Sequence, residues 1–97
     1  MKEIKLSFDK MLTNLAGNRF GRETYKNQVK NQVVVEQKIC VIIPDVIEDI
    51  ASSFIQGFYS ELCEQYGNEK ARQLIELTSS NEYVINKIQE SIETYGV

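Results

Sequence analysis

The sequence predicts one α/β domain, a mostly parallel or mixed sheet covered by about three helices, and three observations lead there. Apolar residues recur with a period of two in some segments and near 3.6 in others, in the order strand, helix, strand, helix, strand, helix. The run Ile39–Ile43 is apolar at every position, the pattern of a central strand covered on both faces. The 97 residues suffice for one core but not for two, so a single domain spans 1–97. Alternation at this spacing implies parallel strands joined by right-handed crossovers.

The first strand is expected over Lys2 to Phe8, with Ile4, Leu6 and Phe8 on one side and Glu3, Lys5 and Ser7 on the other. A helix follows from about Asn18, its expected N-cap, to Gln32, with Phe20, Tyr25, Val29 and the adjoining Val33 as a thin apolar stripe. Gly21 should weaken its first turn by roughly 0.5–1 kcal/mol relative to Ala. Lys38–Ile43 is the second strand, stopped by Pro44 and followed by an acidic turn, Asp45–Asp49. The next helix runs from Ser52 to Tyr66, with Phe54, Ile55, Phe58, Leu62 and Tyr66 inward and Gly67 as its terminator. Asn68–Arg72 reads as a connector and Gln73–Leu77 as the third strand. Ser79 and Glu82 have the spacing of a capping box, opening a last helix that ends near Tyr95 with Val84, Ile85, Ile88, Ile92 and Tyr95 inward. No sequence repeat is visible.

Charge is divided along the chain. Residues 1–38 hold eight Lys/Arg against four Asp/Glu, and residues 39–97 hold three against ten. Such a split either makes a dipolar surface for oriented docking or pairs one half of the chain with the other. The basic side of the first helix concentrates the positive charge, with Arg22, Lys26 and Lys30 at four-residue intervals and Arg19 beside them.

Several classes of chemistry lack their residues. The chain has no histidine, and Cys40 and Cys63 have neither metal-ligand spacing nor a neighbouring base, so both read as reduced, largely buried thiols. No glycine-rich phosphate loop of either common type is present. Carboxylate pairs such as Asp45 and Asp49 read as solvated turn. An enzyme is therefore not expected, nor a metal or cofactor. No apolar run approaches the ~20 residues of a membrane helix, and Met1–Asp9 lacks the apolar stretch of a secretion signal. The expected location is the cytoplasm, with no membrane contact.

The segment Ile39 to Gly67, with its buried strand, acidic-apolar turn and Ala51-Ser52-Ser53-Phe54 helix start, resembles the STAS fold of anti-sigma-factor antagonists. It is similar above all to bacterial and phage STAS-like domains of unassigned function, whose helix opens on Ser-Ser-Phe. Leu15 to Arg22 looks like the arginine-bearing helix start of that group, and Leu74 to Gly96 like the closing strand and helix. Ala51 stands where the phospho-regulated relatives carry aspartate, and Phe54 where they carry glycine. The resemblance implies a regulatory module that docks a protein partner, a GHKL-type ATPase or kinase or an anti-sigma-like protein, through the Ser52/Ser53 helix start. It also implies Ser53, with Ser52 beside it, as the phosphate acceptor of a partner switch. Arg19, Arg22, Lys26, Lys30, Asp45, Glu48 and Asp49 are the candidate docking residues.

The bland alternative for either serine is an N-cap that bonds amides of the first turn. A rival for the whole chain is a nucleic-acid or anti-defence binder acting through the basic helix, which an acidic sequence pI of about 5.0 makes the weaker expectation. A small-molecule sensor is a third reading. A weak homodimer is compatible with all of them.

Overall fold

In the computed structural model, which describes residues 2–97, the segments Lys2–Lys5 (β1), Ile39–Ile42 (β3) and Ile75–Thr78 (β5) form one parallel sheet in the order β1-β3-β5. The expected central strand is central. Ile4, Val41 and Leu77 share a register row, and with Leu6, Ile39, Ile43 and Ile75 they make a buried inner face. The first strand is shorter than its alternation suggests, because pairing ends at Lys5, although Leu6 is still buried.

The outer face departs from expectation. An all-apolar β3 implies cover over Cys40 and Ile42, yet both are only half-buried and their row neighbours Glu3, Lys5 and Glu76 are exposed. Strand order supplies the reason. Successive strands are added in one direction without reversal, so crossovers of one hand carry every connecting helix to the same side. The apolar run of β3 reports a central strand but does not report how many layers cover it.

Four helices occupy the covered side: Asn18–Gln28 (α1), Ser52–Tyr66 (α2), Asn68–Leu74 (α3) and Glu82–Tyr95 (α4). α2 has the expected bounds, and Gly67, at φ 86°, supplies the positive-φ stop. The chain then resumes a helix at once, so the expected connector is α3, anchored by buried Ala71 and Leu74. α1 stops at Gln28 and passes into a 3-10 turn at Lys30–Gln32. Asn18 does not cap it; Gly17 holds that position at φ 101°. At α4 the cap is Asn81, whose side chain accepts from the Tyr83 and Val84 amides, so Ser79 and Glu82 form no capping box. Tyr95 lies at the end of its helix beyond the core and is 56% exposed.

The crossing of α1 over α2 is set by two glycines. A Cβ on Gly21 would overlap the Phe54 carbonyl oxygen and stand 2.7 Å from the Phe58 nitrogen, and a Cβ on Gly57 would overlap the Asn18 carbonyl. Gly21 therefore does more than weaken a first turn. The two backbones touch there, and the closeness lets Tyr25 meet Phe58 and Phe20 meet Phe54 edge-on at centroid distances of 5.7 and 5.4 Å.

A second, two-stranded parallel ladder, Asn14–Leu15 (β2) with Asp49–Ile50 (β4), precedes the two helices. Each of the first two strands thus leads through a tight turn, a two-residue strand and then a helix. The turns match as well: Leu12 donates to Asp9 and Ile47 to Pro44, thirty-five residues apart, as are the β2–β4 partners. The unit occurs twice in structure although the sequence does not repeat.

Substituting Gly21 or Gly57 with alanine should therefore destabilise the protein by about 1–3 kcal/mol or more, despite the higher helix propensity of alanine. In urea melts Phe58→Ala should lose about 3–5 kcal/mol. Ile42→Ala, on the open face, should lose clearly less. Equal losses for Phe58→Ala and Ile42→Ala would contradict a one-sided sheet.

Candidate functional site

The loops leaving β1 and β3 run side by side and deliver α1 and α2 to neighbouring starts. Thr13 accepts hydrogen bonds from the Glu48 amide at 2.7 Å and the Asp49 amide at 3.4 Å, and Leu15 accepts from the Ala51 amide at 2.8 Å. One turn further on, the Gly17 amide donates to Ser53 Oγ at 3.0 Å, tying the start of α2 to the start of α1. Ser53 is therefore not the cap of its own helix. The cap position is Ala51, and no side chain caps α2. Ser52 points elsewhere, into a shallow cleft shared with Lys87, Glu90, Ser91 and Tyr95 of α4. The two serines that are adjacent in sequence serve different neighbours, because successive helical residues project about 100° apart.

The acidic turn is held from inside. Asp45 accepts the Ser80 hydroxyl at 2.6 Å, linking this loop to the one that leaves β5. Asp49 accepts its neighbour's amide, Ile50, at 2.8 Å, and stands 3.7 Å from the Lys87 ammonium. Glu48 is exposed and, among the described residues, makes no ion pair. Asp45 and Asp49 are thus engaged within the fold, and Glu48 is the acid turned outward. Sequence patterning missed the apolar groups beside it. Met11 is 88% exposed and Val46 54%, each two residues ahead of a partner in the Thr13–Glu48 bond.

The basic helix meets the acidic half of the chain. Arg19 pairs with Glu23 on its own helix at 3.1 Å, while Arg22 reaches Glu64 at 3.5 Å and Lys30 reaches Glu61 at 2.6 Å on α2. Lys26 makes no ion pair among the described residues. Each exposed pair contributes little to stability, but together they cancel much of the positive field a polyanion would need. Arg19, Arg22 and Lys26 share one side of α1 and Lys30 lies in the 3-10 turn beyond it, and three of the four have carboxylate partners.

Titratable groups in the core stay neutral. Burial, with the Glu61 carboxylate and Tyr66 adding to it, pushes the Tyr25 phenol up to about 12. Burial raises Tyr59 further; its hydroxyl donates to the Ile75 carbonyl at 2.9 Å and joins α2 to β5. The Cys40 and Cys63 thiols are also raised, chiefly by burial, which disfavours the nucleophilic thiolate. Both are half-buried rather than fully enclosed. Among the described residues, no group of three or more His, Cys, Asp or Glu side chains could hold a metal ion, and no helix is long and apolar enough to cross a membrane.

No family model, curated protein or solved structure matches the chain.

Removing the Ser53 hydroxyl leaves a part-buried amide of Gly17 unsatisfied, so Ser53→Ala should lose about 1–2 kcal/mol in denaturant melts. Ser52→Ala should change stability by less than about 0.5 kcal/mol. The tyrosine shift sets a pH dependence. Folded Tyr25 holds its proton to about pH 12, whereas the unfolded chain releases it near 10. Stability is thus intact below pH 10 and falls as pH rises through the window from 10 to about 12. Tyr25→Phe should flatten that part of a stability–pH curve, and an unchanged slope would refute the assignment.

Proposed function

We propose that this chain is a non-enzymatic regulatory module that binds a protein partner through the loop rim around the starts of α1 and α2. The observation that carries the reading is the exposure of Met11 and Val46 on adjoining, internally braced loops beside the Ser53–Gly17 link. Exposed apolar side chains on a rigid support are what a protein interface uses as anchors. The STAS-like resemblance suggests a GHKL-type ATPase or an anti-sigma-like protein as the partner. Pairing of Arg22 and Lys30 with α2 carboxylates favours this reading over nucleic-acid binding.

Ser53 then acts as a switch through structure as well as charge. A phosphate on its oxygen would add about −1.5 to −2 charges where two helix starts meet. It would also crowd the Gly17 amide that the oxygen now accepts. The α1 start would have to shift, carrying the loop that bears Met11.

The test is quantitative capture by a GHKL-type ATPase from the same host, with a basic oligonucleotide-binding control run across a salt series. Met11→Asp and Val46→Asp should each weaken capture by about 1–2 kcal/mol while the far-UV CD spectrum stays native. Ser53→Asp should weaken it by about 1 kcal/mol or more. Equal capture of all variants and wild type would refute the rim as the docking surface. Tight, steeply salt-dependent DNA binding that is lost with Lys26→Glu would favour the rival.

A further inference from the structure

The open face of the sheet carries an ordered pattern. Register places Glu3, Cys40 and Glu76 in one row across the three strands, and Lys5, Ile42 and Thr78 in the next. The carboxylates of Glu76 and Glu3 both act on the Cys40 thiol, as their shared row requires. Among the described residues neither Glu3 nor Lys5 makes an ion pair, while Lys38 at the margin stands 3.7 Å from Glu76. A half-buried apolar centre, Cys40 and Ile42, is thus flanked along β1 by an unpaired acid and an unpaired base. Parallel sheets are almost always covered on both faces. This one is covered on one.

We propose that a second copy of this chain covers the open face, sheet against sheet, about a two-fold axis that lies in the interface and runs across the strands. That axis sets each strand antiparallel over its own copy, so the acidic row of one chain lies over the Lys5 row of the other. Glu3 then meets Lys5 twice, Cys40 meets Ile42 twice and Glu76 meets Thr78 twice, the reciprocal pairing of a two-fold interface. The alternative axis, along the strands, sets Glu3 over Glu76 and opposes like charges. Charge therefore selects the first arrangement.

Area sets the strength. With strands about 4.8 Å apart and rising about 3.3 Å per residue, the two rows cover roughly 200 Å². A standard stable complex buries about 800 Å² per partner. The dimer is accordingly weak and rapidly exchanging, with Kd on the order of 0.1–1 mM. It uses no residue of the loop rim, so its failure would leave partner docking untouched, and the reverse holds.

Sedimentation velocity and NMR diffusion on the full chain, from about 20 µM to about 2 mM, bracket that range. Wild type should pass from monomer toward dimer. Lys5→Glu sets acid opposite acid and Glu3→Lys sets base opposite base, and each should weaken association at least fivefold without changing the monomer's CD spectrum. The two weakened variants mixed together restore acid opposite base at both contacts. They should associate with one another at least fivefold more tightly than either does with itself. A wild type that stays monomeric to about 2 mM, or a mixture that gains nothing, would overturn the proposal.

Discussion

Two helices that touch backbone to backbone at Gly21 and Gly57 determine where almost everything else in this protein lies. Side chains hold most packed helices 8–10 Å apart. Here the missing Cβ atoms bring α1 and α2 closer, and the consequences run outward from that contact. The short ladder of β2 and β4 closes because the two helix starts are neighbours. Ser53 reaches Gly17 for the same reason. Below the crossing, Tyr25, Phe54, Phe58 and Tyr59 fill the space between helices and sheet, Phe58 meeting Tyr25 and Tyr59 edge to face and lying nearly parallel to Phe54.

The same crossing resolves the uneven charge of the sequence. The basic helix comes from the positive half and α2 from the negative half, and their crossing brings Arg22, and Lys30 just past the end of α1, to Glu64 and Glu61 respectively. What reads along the chain as a basic ridge becomes a paired seam in space. Of the ridge cations only Lys26 is left without a carboxylate among the described residues, while Met11 and Val46 on the loop rim stand exposed.

The sheet follows a different constraint. Its strands are added in one direction, so all helices fall on one side and the other side stays open. The covered side is uniformly apolar, and the open side mixes a small apolar centre with opposed charges. A three-stranded sheet in a chain of this size can fold with that face open because the buried side alone encloses the core.

The α/β class, the central strand, the full extent of α2 and most of its buried face were legible in the amino-acid order, because they rest on local periodicity and on terminators such as Gly67. Tyr59 was not, since nothing local distinguishes a tyrosine that donates to the Ile75 carbonyl from one facing water. The α3 helix was hidden because its stripe is only Ala71 and Leu74. Pairing of the two serines in the candidate site is sequence information, but which of them contacts α1 was decided by helix rotation against a neighbour. Gly21 read as a weak spot by propensity and became the point of closest approach. Composition and spacing determined which segments are strand and helix. Only the tertiary structure decided which charges meet, which sheet face is left open and what the glycines are for, because these depend on distances between segments far apart in the chain.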